Sequence, residues 1–350
     1  WSGHRKFEIQ RKVKEVGGVH SLFLVPLDGR PLPPFLPGQY LTFQLRIPGQ
    51  TKPIIRCYSL SDSPNNPDYY RVSIKKVPPP RDQPDKPPGL SSTYFNDMLQ
   101  EDDILDIKAP SGQFFLDMTS ERPIVFVGGG IGLTPVLSML TALTESGIRR
   151  EVWFFLGVRN GEEHLMKEQL EALNQANENL HLHVFYSVPQ KGDEKGRDYQ
   201  HSGHVSVDQF KELLPSNNYT FYICGPPPMM EFLTAGLKEW GVPEDDVESL
   251  RWARLAYEWF RRAADQGDAE AQYQLGELLF RSTDSDFEDR EVEEVMWYRR
   301  AAEQGHTEAQ FKLSFGGRQD DTQALAWMRR AAEQGDSFQQ YLLGDSYADG

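Results

Sequence analysis

The sequence predicts a multidomain protein: an antiparallel β-barrel, then an α/β domain on a parallel sheet, then an all-α helical repeat solenoid. Three observations carry this. Short alternating strands broken by Gly and Pro fill residues 5 to 118. From residue 123, continuous apolar strands alternate with amphipathic helices. After residue 250 the strands stop and an Ala-rich unit recurs. At 350 residues the chain exceeds one ordinary core. The expected domains are 1–118, 119–250 and 251–350.

Taken in order, the barrel strands are "KFEIQRKVKEV", "HSLFLVPLDG", "GQYLTFQLRI", "YYRVSIKKV" and "DILDIKA". The Pro-rich "VPPPRDQPDKPPG" (77 to 89) interrupts them as an extended excursion, either an ordered flap over a ligand or a mobile loop, with the mobile loop preferred. The second domain reads "PIVFVGGG", "TPVLSMLTALTESG", "EVWFFLGV", "HLMKEQLEALNQA", "LHLHVFYSV", "VSVDQFKELL", "YTFYICG" and "PMMEFLTAGLKEWG". Ligands on such sheets bind at the carboxyl ends of the strands. In the tail, "AADQGDAEAQ", "AAEQGHTEAQ" and "AAEQGDSFQQ" begin at residues 263, 301 and 331. Each unit is expected to pair a helix ending at its Gly cap with a second helix, small Ala residues allowing close approach. The second unit is shortened at "FKLSFGGRQDD".

Bulk composition narrows the function. The formal net charge is −15, from 37 Lys and Arg against 52 Asp and Glu, so the summed field repels nucleic acid and anionic lipid. Two cysteines, Cys57 and Cys224, provide neither a disulfide framework nor a Cys-ligated cluster. No histidine pair has metal-ligand spacing, so no metal is expected, and "HLH" (181 to 183) and "HSGH" (201 to 204) read as strand and loop residues. No apolar run approaches the ~20 residues of a membrane helix. The expected location is cytoplasmic, or the cytoplasmic face of a membrane should an anchor precede Trp1.

Chemistry concentrates in two stretches. "PIVFVGGGIGLTPVLSML" runs a buried strand into Gly128, Gly129, Gly130 and Gly132, whose lack of side chains lets backbone amides approach a phosphate. Thr134 then stands where an N-cap belongs, with Pro135 at the first helical position. In "RCYSLSD" (56 to 62), strand alternation sends Arg56 and Tyr58 to one face, a cation for phosphate beside a ring for a flat heterocycle. Cys57 faces the other way and is expected to pack in the core.

Together these motifs resemble the ferredoxin-reductase superfamily, particularly the reductase half of flavohaemoglobins. "RCYSLSD" is similar to its flavin motif, "GLSSTYF" to its phosphate loop and "APSGQFFL" to its interdomain segment. "GGGIGLTP" is similar to its pyridine-nucleotide turn and "YICGPPPMM" to its nicotinamide motif. The resemblance spans residues 4 to 248 and implies FAD and either NADH or NADPH as cofactors. It implies that Arg56 holds the flavin pyrophosphate, that Tyr58 packs on the isoalloxazine, and that Ser59 lies near the nitrogen that accepts hydride. Gly89 and Ser92, within Gly89, Leu90, Ser91 and Ser92, supply the second phosphate contact as an amide and a hydroxyl. "RVSIKK", with Val72, Ile74 and Lys75, lines the flavin edge, chiefly through backbone groups. Gly129, Gly130, Gly132, Thr134 and Pro135 receive the nicotinamide nucleotide. Cys224, Gly225 and Pro226 lie beside the reacting ring, with Cys224 a positioning residue rather than a nucleophile. Tyr58, Ser59 and Cys224 are thus the candidate catalytic residues. After the second strand of the α/β domain, Arg159 would greet a 2′-phosphate that Glu162 and Glu163 would repel, so NADH is favoured.

The junction departs from the superfamily. Glu248 falls on the expected closing strand, but the usual "E-x-F-G" ending is absent, and Trp252 fits the first solenoid helix, "WARLAYEWFRRAADQG", to which it is assigned. The tail resembles Sel-one-like repeats, relatives of the tetratricopeptide repeats, which imply a protein-binding face. The expected function is an FAD-dependent NAD(P)H oxidoreductase delivering single electrons to a separate acceptor protein or domain docked by the repeats. The alternative is an interaction scaffold with a catalytically degenerate, nucleotide-sensing reductase module.

Overall fold

The computed structural model describes residues 1–66, 68–79, 85, 87–249, 260, 261, 263–281, 290–315, 326, 327, 329, 330 and 332. The chain divides into two compact units, Trp1–Leu250 and Arg251–Gly350.

The first unit opens with β1 (Arg5–Lys14), β2 (Val19–Pro26), β3 (Tyr40–Leu45), β4 (Ile54–Ser59), β5 (Tyr70–Lys75) and β6 (Ile104–Ser111). They form an antiparallel sheet in the order β4-β3-β6-β1-β2-β5. A bridge between Leu60 and Val72 joins its two edges and curls the sheet towards a barrel. Alternation builds the core: Phe7 and Ile9 from β1, Leu22 and Leu24 from β2, and Leu41, Phe43 and Leu45 from β3 all turn inward. Between β5 and β6, α1 (Leu90–Thr93) passes directly into a π-helical turn at Tyr94–Met98. The sequence gives no sign of that turn. Phe95 enters the core from it, and the Lys12 ammonium ties its end by donating to the carbonyls of Asn96 and Leu99. Residues 80–84 and 86 of the Pro-rich excursion lie outside the described residues.

The parallel sheet consists of β7 (Ile124–Gly129), β8 (Val152–Val158), β9 (Leu180–Tyr186), β10 (His201–Ser202), β11 (Thr220–Cys224) and β12 (Val247–Ser249). Its order is β10-β9-β8-β7-β11-β12. The chain therefore starts in the middle, winds outward through β8, β9 and β10, then returns to the other side of β7. The switch point of this doubly wound sheet lies at the carboxyl ends of β7 and β11. Helices α2 (Leu133–Glu145), α3 (Lys167–Ala176), α4 (Val207–Leu213) and α5 (Pro227–Glu239) connect the strands. Leu133 to Leu143 of α2 are buried throughout, because the helix is enclosed rather than laid on a surface. Glu248 lies on β12 opposite Tyr222, where the sequence places it.

The second unit contains α6 (Ala269–Arg281), α7 (Arg290–Glu303) and α8 (Thr307–Phe315). Its repeat is legible in hydrogen bonds. Gln272 and Gln310 hold equivalent places in successive copies, and their side-chain amides donate to the carbonyls of Ala264 and Ala302 at 3.0 and 3.1 Å. Gly267 and Gly305 take φ of +88° and +89° and cap the same turns, as expected. Gly276 lets α7 approach α6 closely, since a Cβ there would stand 2.6 Å from the Tyr298 ring. Of the third copy only Ala332 is described, and Trp252 lies outside the described residues.

Two histidines of the α/β sheet set a pH dependence. Burial drives both His164 and His183 down to about 4; His164 Nδ1 pairs with the Tyr186 hydroxyl at 2.9 Å, and His183 Nδ1 with His201 Nε2 at 3.0 Å. Between pH 6.5 and 4 the unfolded chain binds protons that the folded chain refuses. Stability is therefore complete above pH 6.5 and is lost as pH falls towards 4. For the buried His164, the loss between pH 7.5 and 5 is roughly 2 kcal/mol. Urea denaturation of residues 1–250 within the full chain at the two pH values measures it, and His164→Phe should flatten the slope.

Candidate functional site

The flavin-type motif occupies β4. Arg56 lies opposite Phe43 and Tyr58 opposite Leu41, on the same face as expected. The Arg56 guanidinium is exposed, and its hydrogen bond within the described residues is to its neighbour, the Ile55 carbonyl, at 2.7 Å. Tyr58 is held edge-on between Phe43 and Phe95, with ring centroids 5.8 and 5.0 Å away. Burial pushes its hydroxyl up to about 12, against the pull of Arg56, so it stays protonated. Ser59 ends the strand opposite Tyr40, half-buried. Cys57 does not join the core: it is half-buried on the opposite face, its sulfur 3.1 Å from Thr42 Oγ1.

Val72 and Ile74 of β5 point into the core. β5 ends the sheet order, but part of its outer edge is already used: Leu60 bridges Val72, the Ser61 amide donates to the Arg71 carbonyl at 2.9 Å, and Asn96 Nδ2 donates to the Ile74 carbonyl at 3.3 Å. Lys75 instead crosses to the α/β layer, its ammonium 2.8 Å from Glu163 Oε2.

The phosphate loop needs a correction. The Gly89 amide donates to the Val77 carbonyl at 2.9 Å. The Ser92 hydroxyl donates to the Gly89 carbonyl at 2.9 Å and accepts from the Val77 amide at 3.1 Å. A hydroxyl has one proton and an amide has one, so neither group retains a donor for a phosphate. They staple the end of β5 to the start of α1. Among the described residues, the donors left over are the first-turn amides of Leu90, Ser91 and Ser92, which a helix cannot pair internally. Ser91 Oγ is buried without a hydrogen-bond partner among the described residues.

At the switch point, Gly130 to Gly132 form a 3₁₀ turn that runs straight into α2. The helical run thus begins earlier than expected. Thr134 is not its N-cap but lies inside it, its hydroxyl donating back to the Ile131 carbonyl at 3.0 Å, and Pro135 follows within the first turn of α2. Each glycine has its own reason. A Cβ on Gly132 would stand 2.4 Å from the Cys224 carbonyl oxygen, and one on Gly129 would stand 2.7 Å from Met229 Sδ. Gly130 takes φ +53° and faces open space. The N-terminus of α5 opens beside them, with Pro226 and Pro227 entering the helix and Gly225 packed on Met229. Two helix N-termini therefore meet at the carboxyl ends of adjacent strands; α5 contributes its dipole but no free amide, since Pro226, Pro227 and Pro228 open it and Met229 N–H donates to the Pro226 carbonyl, so donors for an anion come from the α2 turn. The Cys224 thiol is fully enclosed, and burial raises it well above its ordinary range. Its contribution is the carbonyl against Gly132, and the thiol has no path to a ligand.

The barrel is fastened to α2 by hydrogen bonds that the motifs do not announce. Ser138 in α2 donates to the Asp62 carbonyl at 2.7 Å, at the tail of "RCYSLSD". Glu145, ending α2, accepts from the Ser63 hydroxyl and from Asn65 Nδ2. Behind them Arg71 pairs with Asp62 at 3.6 Å and donates to Ser61. Between the two layers a cleft of about 730 Å³ is lined by Gly17, Gly18, Lys75, Lys76, Glu162 and Glu163 among others. A larger cleft of about 1160 Å³ lies outside β1 and β2, around Arg11, Phe23 and Tyr69, and holds none of the motif residues.

Comparison with known proteins agrees with this geometry. Residues 23–116 match the oxidoreductase FAD-binding domain and residues 126–235 the oxidoreductase NAD-binding domain. The Sel1 repeat matches residues 232–258, 253–268, 269–306 and 307–336, the first overlapping α5. A flavohemoprotein of Halalkalibacterium halodurans is 38% identical over 247 residues, 71% of this chain and 59% of that protein. One of Rhodopirellula baltica is 38% identical over 261 residues, 74% of this chain and 61% of that one. The chain thus spans about six-tenths of the length of these relatives. Among solved structures, the flavohem-like FAD/NAD-binding domain of nitric oxide dioxygenase from Vibrio cholerae has a TM-score of 0.62 at 28% identity, over 71% of this chain and 98% of that one. The cytochrome b5 reductase domain of Ulva prolifera nitrate reductase shares the fold, with a TM-score of 0.59 at 19% identity, over 71% and 97%. Residues 1–250 belong to the ferredoxin-reductase superfamily of FAD- and NAD-binding oxidoreductases, and Sel1 repeats follow them.

Proposed function

We propose that this chain takes hydride from NADH onto FAD and delivers electrons one at a time to a separate acceptor, which the repeats dock. The observation that carries the reading is the meeting of α2 and α5 at the switch point, with the flavin-type strand tied to α2 through Ser138 and Asp62. The groups present fit the cofactors: an exposed guanidinium at Arg56, a ring at Tyr58, and first-turn amides at Leu90 to Ser92.

In this reading Arg56 holds the FAD pyrophosphate and the amides of Leu90, Ser91 and Ser92 complete the phosphate cradle. Tyr58 packs its ring on the isoalloxazine, neutral across the physiological range because burial keeps its proton in place. Ser59 stands at the strand end beside the reacting nitrogen. Gly130 and its neighbours at the head of α2 receive the nicotinamide nucleotide's phosphates, and the backbone of Gly225 with Pro226 borders its ring. Bound FAD supplies the chemistry of accepting a two-electron hydride and releasing single electrons. The protein's part is to hold the two rings in register and exclude water between them. NADH is the proposed donor, since Arg159 is accompanied by Glu162 and Glu163 on the following turn.

Anaerobic addition of NADH to the FAD-loaded chain should bleach the visible flavin band promptly, and NADPH should do so much more slowly. Flavin that fails to bind, or binds and never bleaches, overturns the enzyme. Gly132→Ala separates the two sites: its Cβ would meet backbone at 2.4 Å, so α2 and β11 must part. It is expected to cost about 1–3 kcal/mol of stability. The flavin spectrum should be retained while the Kd for NAD+, followed by calorimetry, rises at least about tenfold.

A further inference from the structure

β8 ends at Val158, and Arg159 follows at the carboxyl end of the strand next to β7. At that place in a doubly wound sheet the adenosine ribose is read, by a carboxylate for a free 2′-hydroxyl or by an arginine for a 2′-phosphate. Here an arginine and a carboxylate are present together and face each other. Arg159 Nη1 lies 3.6 Å from Glu163 Oε1, and the other oxygen of the same carboxylate, Oε2, lies 2.8 Å from Lys75 Nζ on β5. One carboxylate thus spans two cations from two layers of the molecule.

The surroundings reinforce that arrangement. Glu162 stands on the same 3₁₀ turn, Gly161–Glu163, with Gln190 donating to it at 3.4 Å. Asp193 fixes the start of the turn by accepting from the Gly161 amide at 3.2 Å. Lys76, the cation that follows β5, is already engaged by Asp97. Two positive charges, Arg159 and Lys75, therefore meet three negative ones, Glu162, Glu163 and Asp193, with no surplus of cation for an incoming dianion. Were Glu163 paired to Arg159 alone, a phosphate could displace it by rotating a half-exposed side chain. The shorter Lys75 contact opposes that rotation, since Glu163 would have to give up both partners.

We infer that Glu163 masks Arg159 and makes the site select against a 2′-phosphorylated coenzyme, with Lys75 on the flavin-lining strand holding the mask in place. The inference rests on the dinucleotide site proposed above and adds what decides its choice of coenzyme. Glu163 is a specificity residue, and Lys75 a positioning residue that acts through it.

The test uses the full FAD-loaded chain and the oxidised coenzymes NAD+ and NADP+, which differ by the 2′-phosphate alone and leave the flavin unreduced. Calorimetry gives the ratio of the two Kd values for the wild type, E163Q, E163D and E163Q/R159Q. In the wild type NAD+ binds more tightly. In E163Q the ratio moves towards NADP+ by at least about tenfold. The gain shrinks with added salt, and it disappears in E163Q/R159Q. E163D, which keeps the charge but shortens its reach, gives an intermediate ratio, and this graded response separates unmasking from unfolding. A ratio unchanged in E163Q overturns the inference while leaving the dinucleotide site intact. A wild-type chain that binds neither coenzyme overturns the site itself, and the inference with it.

Discussion

The contact on which the site depends is the one between Gly132 and the carbonyl of Cys224, where two strand-to-helix turns touch with no room for a methyl group. It follows from the sheet order, because β7 and β11 are neighbours only where the winding reverses. Closing that gap brings the starts of α2 and α5 to one place, where their dipoles add; the free amides come from the α2 side, because Pro226, Pro227 and Pro228 open α5 without an N–H. The neighbouring glycines are explained by the same closure: Gly129 and Gly225 make way for Met229, and Gly130 faces outward. A glycine-rich run that looks uniform in the sequence thus holds residues with different tasks, some packing backbone on backbone and one leaving space for a ligand.

A second constraint keeps the barrel in register with that turn. Two separately folded layers would be free to slide, yet α2 is gripped near its middle by Asp62 and at its end by Ser63 and Asn65, all from the segment that trails the flavin-type strand. Hydrogen bonds of this kind are individually modest, about 1 kcal/mol net each. Their value lies in position. They attach one end of the flavin-type motif to the helix that begins at the nucleotide turn, so the distance between the two motifs is fixed by a single rigid element.

Much of this was legible in the sequence because strand alternation, Gly-rich turns and helix periodicity are local signals. The strands of both sheets, the switch-point turn, Glu248 on the last strand and the Gly-capped repeat all follow from neighbours a few residues apart. The π-helical turn at Tyr94–Met98 did not, since it is stabilised by Lys12 reaching across from β1. Thr134 was misplaced for a related reason. A Thr-Pro pair normally opens a helix, but the preceding 3₁₀ turn had already opened this one. The core expected for Cys57 failed because alternation says which face a residue takes and not how deeply that face is buried.

Serines 91 and 92 show where sequence reasoning stops. Both are buried, both sit in the same motif, and hydroxyl chemistry gives no reason to prefer either. The difference is made by Val77, two residues beyond β5, whose amide and carbonyl take Ser92 and Gly89 as partners and so withdraw them from any ligand. A polar group is available for function only after the fold has finished using it, and that remainder is set by contacts between distant segments. Glu163 is the same case with opposite sign. Its neighbours in sequence read as a turn beside an arginine, and only the arrival of Lys75 from the barrel turns it from a surface acid into the group on which both layers converge.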